Sequence, residues 1–212
     1  MTLDLAVITP VGPGHEDVWC KAWASVDEAV KERPDIGWGM FTEADSGEGR
    51  SAVRNRLVER ARGRGAEWLF FLDADDEMLP EAVSVWRRHA ALYDAIWGSI
   101  KTNTEGVRDG QEYPMTYGRI VHGHPARTIN IGFFIKADKM VEFDEGMDCG
   151  EDYKAYLELW HPDSGVKCYK SNTPIYLNNR GNHSTGPRAK TGRDWRLAVE
   201  RLQREAAQEM KG

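Results

Sequence analysis

Three carboxylates crowd into one short stretch: Asp73, Asp75 and Asp76, within Trp68–Pro80 (WLFFLDADDEMLP). The apolar run before them reads as a buried strand, and ligands of open α/β sheets gather at the carboxyl ends of strands. Carboxylates this close repel one another unless a cation is present. Asp-x-Asp at a strand end offers hard oxygens to one Mg²⁺ or Mn²⁺, which completes its shell with waters and phosphate oxygens. The plainer alternative is a solvated turn whose acids favour the start of a helix near Pro80. Other metal loops fit worse. Counted from Asp73, the Gly and Glu that an EF-hand requires are Met78 and Ser84. An aspartyl-phosphate phosphatase would have Thr or Val soon after its second Asp, where this chain has Asp76 and Glu77. There is no P-loop, and Gly12-Pro13-Gly14 is too weak for a dinucleotide fingerprint.

A second pair, Glu151 and Asp152, follows Gly150 and opens a predicted helix. A carboxylate there has a fixed place and could take a proton from a substrate hydroxyl. Simple capping, with Tyr153, Tyr156 and Leu157 packing inward, is the alternative. Asp45 follows a strand and could bind a base or ribose, or form an Asx turn leading to Gly47. Arg54 lies one helical turn after Arg50 and could reach a diphosphate, while Asn55 could tie that helix to the acidic turn. Arg56, Arg60, Arg62 and Arg64 read as a solvated face. Arg180–Arg193 (RGNHSTGPRAKTGR) holds Arg180, Arg188, Lys190 and Arg193, a local +4 without a single acid. It reads as a mobile lid over an anionic ligand or as a connector to the last helix.

The elements that must position these groups alternate in the first half. Leu5–Thr9, Ile36–Thr42, Trp68–Leu72 and Ala95–Ile100 read as strands. Val18–Lys31, Ser51–Arg62 and a segment from Pro80 through Trp86 read as helices. That alternation predicts an α/β fold with a mostly parallel sheet flanked by helices. In the second half, Lys101–Arg127 has weak periodicity. Thr128–Ile135, Val166–Lys170 and Pro174–Leu177 read as strands, and Glu151–Trp160 and Asp194–Met210 as helices. Trp97 and Trp160 could line a sugar pocket, although core positions suit them better.

Composition bounds the rest. The 212 residues carry 28 Lys and Arg against 34 Asp and Glu, a formal charge of −6, which argues against a dedicated nucleic-acid coat. Cys20, Cys149 and Cys168 are too few and too scattered for a disulfide framework or a zinc quartet, so they read as reduced thiols and the expected location is cytoplasmic. No apolar run approaches the roughly 20 residues of a membrane helix. Met1–Pro10 lacks the basic start of a signal peptide.

Taken in order, the landmarks resemble the inverting glycosyltransferases of family 2, which have the GT-A fold, a Rossmann-like single domain. Val7–Gly14 (VITPVGPG) resembles the first strand and nucleotide loop, and Phe41–Gly47 (FTEADSG) the second strand delivering an acid. Gly49–Gly63 (GRSAVRNRLVERARG) is similar to the ARN-x-G helix. Trp68–Val83 matches the Asp-x-Asp segment. Phe143–Trp160 resembles the segment with the catalytic Glu-Asp pair, and Arg180–Gly186 (RGNHSTG) a late His loop that completes the metal site.

The resemblance implies a divalent metal, Mn²⁺ or Mg²⁺, held by Asp75, Asp73 and His183. It implies a nucleotide-sugar donor, a UDP-sugar first, bound by Pro10, Asp45, Arg54, Asn55, Asp73 and Ala74. Asp152 would be the base of a single displacement, with Glu151 orienting it or gripping the acceptor. Residues 1–212 would form one catalytic domain. About 1–100 would be its donor half, about 101–193 its acceptor half and lid, and 194–212 its final helix. The acceptor would be a hydroxyl on a saccharide or small molecule, with lipid or modified DNA less favoured. A non-catalytic binding module of the same fold, or a nucleotidyltransferase, are the competing readings. The intact DADD and GED sequences speak against the first. The lack of a basic residue beside a Gly-rich loop at the first strand speaks against the second.

Overall fold

The computed structural model describes residues 3–104, 106–108, 112, 117–122, 131–179 and 190–211. The chain opens with β1 (Leu3–Val11), α1 (Trp19–Val30), β2 (Trp38–Ala44), α2 (Arg50–Gly63) and β3 (Ala66–Phe71). A short β4 (Glu77–Met78) follows, then α3 (Glu81–His89), β5 (Ala95–Thr102) and β6 (Gly106–Arg108). The later elements are α4 (Tyr117–His122), β7 (Phe133–Lys136), α5 (Glu151–Trp160), β8 (Cys168–Asn178) and α6 (Gly192–Glu209).

One sheet runs through both halves in the order β2-β1-β3-β7-β5-β8-β4, with β6 on β5. The sheet is mixed, which corrects the mostly parallel expectation. β1 pairs parallel with β2 and β3, and β5 with β8. The pairs β3–β7, β5–β7, β4–β8 and β5–β6 are antiparallel. The alternating first half does make its parallel layer. In the centre of the sheet the antiparallel element comes from β7, which inserts between β3 and β5, and nothing in its short apolar run signals direction. The two late strands read from the sequence are one strand, β8, whose register against β5 shifts twice between Trp97 and Ile100.

Side chains alternate across a strand, so neighbouring aromatics serve opposite faces. Phe70 meets Phe134, whose ring stacks on Trp86 of α3. Phe71 meets Phe133, which packs against Trp97 and against Tyr156 of α5. Helices therefore cover both faces. Each such ring pair adds about 0.5–1.5 kcal/mol to the burial term. Trp97 and Trp160 are core residues, 0% and 6% exposed.

Gly132 is required by close packing. A Cβ there would lie 1.9 Å from Cδ2 of Tyr176. Among the described residues, no helix is long and apolar enough to cross a membrane.

Candidate active site

β3 ends where the apolar residues end, and the acidic turn begins at Asp73. The N–H of Asp76 donates to the carbonyl of Asp73 (3.1 Å), closing the turn. β8 then clamps it. The Asp73 N–H donates to the Tyr176 hydroxyl (3.3 Å), and that hydroxyl donates to Oδ2 of Asp76 (2.7 Å). Asp76 also accepts from Nδ2 of Asn178 and from the backbone N–H of Asn179 (2.7 Å). The Asn179 side chain donates to the Asp75 carbonyl and to Glu77. Asp76 is thus the buried anchor of the turn, 3% exposed, rather than a helix-start acid. Burial, with Asp73 and Asp75 beside it, pushes its carboxyl up to about 7.

Among the described residues, Asp75 has no such set of donors. Burial and the neighbouring Asp73 hold its carboxyl up to about 7 as well. Oδ2 of Asp75 lies 4.0 Å from Nε2 of His15, a buried atom with no hydrogen-bond partner. Asp75 and His15 together offer an oxygen and a nitrogen to a divalent ion that would take its remaining ligands from water and phosphate. Among the described residues no three His, Cys, Asp or Glu side chains form a ready metal cluster. His183 lies outside the described residues, as do 180–189 of the basic stretch.

Arg54 joins the two carboxylate groups. Its guanidinium, 2% exposed, donates to Oδ1 of Asp73 (2.7 Å) and to Oε1 of Glu151 (3.0 Å). Burial opposes its charge, but Asp73 and Glu151 outweigh burial and raise its pKa further. Arg50 adds a second contact to Glu151 at 2.8 Å. Arg54 was expected at a diphosphate; the structure engages it with protein carboxylates.

Gly150, at φ 80°, sets up α5, so Glu151 and Asp152 occupy its first turn. Glu151 is buried and has one oxygen, Oε2, without a partner. Oδ1 of Asp152 accepts from the indole N–H of Trp195 on α6 (3.1 Å) and from the N–H of Tyr153 (2.8 Å). Burial and the adjacent Glu151 raise Asp152 to about 6. A partly charged carboxylate near neutrality suits general base work.

Asn55 departs from expectation. It ties α2 to the segment before α5, not to the acidic turn. Its Nδ2 donates to the carbonyl of Phe143 (2.9 Å) and to Glu145, and its Oδ1 accepts from the Phe143 N–H (2.8 Å). Both ends of the amide are engaged with protein. Asp45 forms the Asx turn: its Oδ1 accepts from the N–H groups of Gly47 and Gly49, both at 2.9 Å. Pro10 is buried in β1 beside Glu43, and Ala74 is 1% exposed.

Sequence reasoning missed His15, Tyr176, Asn179 and Trp195 as site residues. His15 follows the glycine turn after β1, which was a usable signal. Tyr176 and Trp195 read as ordinary apolar positions of a strand and a helix.

The glycosyl transferase family 2 domain is recognised across residues 41–151, more than half of the chain. The chain belongs to glycosyl transferase family 2. Among solved structures it is similar to S. aureus TarS 1-349 in complex with UDP-GlcNAc. The TM-score is 0.64 at 15% identity, covering 96% of this chain and 66% of that one. TarS 1-349 in a second structure gives a TM-score of 0.60 at 18% identity, covering 96% and 65%. The chain thus spans just under two thirds of those TarS chains, and the likeness bears out the GT-A type of fold. No curated protein matches the sequence.

Proposed function

We propose that this chain is a metal-dependent, inverting glycosyltransferase that moves a sugar from a UDP-sugar to an acceptor hydroxyl. The observation that carries this reading is Arg54. It holds Asp73 at the end of β3 and Glu151 at the start of α5 in one connected group, so the end proposed for the donor and the end proposed for the base are tied side by side. The complex of TarS with UDP-GlcNAc supports a UDP-sugar as donor.

A divalent ion at Asp75 and Asp73 would stabilise the charge growing on the diphosphate leaving group as a Lewis acid. His183 is proposed as a further ligand. Asp73, pinned by Arg54, would face the ribose or the metal's water, and Asp45 the base or ribose. Pro10 and Ala74 would contribute backbone shape to the donor site.

Asp152 would accept the proton of the acceptor hydroxyl as that oxygen attacks the anomeric carbon. Its raised pKa, set by burial and Glu151, keeps it basic enough to do so and charged above about pH 6. Trp195 holds the carboxylate in place by its indole N–H. Glu151 would orient the group through Arg54 and Arg50. The first 100 residues or so would bind the donor, and about 101–193 the acceptor, which is a saccharide or small molecule in preference to lipid or modified DNA.

A panel of UDP-sugars with Mn²⁺, read by mass spectrometry for released UDP, tests the reading. Turnover with wild type and none with Asp75→Asn or Asp152→Asn is the expected result. Binding of every donor without release of UDP in any condition, with or without candidate acceptors, would favour a non-catalytic module.

A further inference from the structure

We propose that His15 is a metal ligand of this site, supplying a nitrogen from the loop after β1 to the ion held by Asp75. The inference rests on the metal-dependent reading above.

The loop is built to aim this ring. Gly14 takes φ 85°, the left-handed region that glycine enters without strain. The N–H of His15 then donates to the Gly12 carbonyl (3.0 Å), and its own carbonyl accepts from the N–H of Val18 (3.2 Å). The backbone on both sides is therefore fixed. The residue is 9% exposed, and Nε2 is buried without a hydrogen-bond partner among the described residues. A buried ring nitrogen left unpaired is costly and calls for an explanation.

Asp75 does not provide one by direct bonding. Its Oδ2 is 4.0 Å from Nε2, beyond hydrogen-bond range. The same distance leaves room for one ion between them, with the two ligand atoms on nearly opposite sides of it. Ligand atoms at about 2.0–2.1 Å from one ion can be no more than about 4.2 Å apart. The acid side matches: the Asp75 carboxylate is crowded by Asp73 and lacks the donors that satisfy Asp76. A nitrogen ligand also has a consequence for ion choice. Mg²⁺ is bound almost wholly by oxygen, whereas a transition ion such as Mn²⁺ accepts imidazole more readily.

The test measures Mn²⁺ and Mg²⁺ binding, with saturating UDP, in wild type, His15→Gln, His15→Asn and Asp75→Asn. Free Mn²⁺ is followed by electron paramagnetic resonance, and melting curves without metal establish that each variant folds. The expected result is a loss of Mn²⁺ affinity of about tenfold or more in both His15 variants, with Mg²⁺ affinity changed much less. Pulsed resonance on the wild-type Mn²⁺ complex should show nitrogen coupling that weakens in either His15 variant. Two results would overturn the proposal while leaving the metal site at Asp75 intact. One is unchanged Mn²⁺ affinity in a folded His15 variant when Asp75→Asn has lost it. The other is wild-type Mn²⁺ without nitrogen coupling, a reading that needs no folded variant and would leave a bridging water between His15 and Asp75. Mn²⁺ binding absent in wild type, or undiminished in Asp75→Asn, would remove the metal reading itself and the proposal with it.

Discussion

Glu151 accepts a hydrogen bond from Arg54 at 3.0 Å, both side chains almost wholly buried, across 97 positions of sequence. The contact crosses from the helix after β2 to the helix that carries the proposed base. It is an ion pair with little water to replace either partner.

Removing Arg54 should therefore be costly. Arg54→Met takes a buried partner from both Glu151 and Asp73 and leaves Glu151 only its contact with Arg50, for which about 3 kcal/mol is expected. Glu151→Gln should cost less, because Arg54 keeps Asp73. Urea unfolding of both variants checks this. Equal, small losses would mean that the pair carries little weight.

Metal removal should stop the chemistry. EDTA is expected to abolish UDP release, and Mn²⁺ or Mg²⁺ to restore it. Asp75→Asn should not be restored at ordinary metal concentrations. Full activity of the wild type in metal-free buffer would contradict the metal site.

The base should show in the pH profile. As the proposed base, Asp152 would act when deprotonated, so activity should rise as pH increases through about 6. Asp152→Asn should remove that limb and lower kcat by about a hundredfold or more, with donor affinity nearly intact. The Trp195 indole N–H favours the charged carboxylate. Trp195→Phe should thus move the limb to higher pH. Proton NMR of the product should show the inverted anomer, and retention would contradict single displacement.

Gly132 offers a structural control at a distance in sequence. Gly132→Ala forces a methyl into the Tyr176 ring, whose hydroxyl holds Asp76 and the Asp73 N–H. About 1–3 kcal/mol of destabilisation and weaker donor binding are expected. Gly63→Ala, with nothing within 4 Å of the new methyl, should be close to neutral or slightly stabilising. Calorimetry of donor binding and thermal melts distinguish the two.

The sequence by itself determined the local pieces. An apolar run followed by Asp73, Asp75 and Asp76 is a strand that must stop where its carboxylates begin, because charge resists burial. Gly150 before Glu151 and Asp152 marks a helix start for the same kind of local reason. Helical spacing and the proline and glycine stops placed α1, α2, α5 and α6 within a few residues. Tertiary structure alone decided what those pieces do to one another. The direction of β7, and so the mixed sheet, depends on a crossing that no short apolar run encodes. Asp76 became an anchor because Tyr176 and Asn179 arrive about a hundred residues later, and Asn55 turned to Phe143 instead of the acidic turn. Arg54 reads from the sequence as a diphosphate ligand on an arginine-rich helix. Its burial between Asp73 and Glu151 follows from packing across the chain, which spacing within one helix cannot reveal.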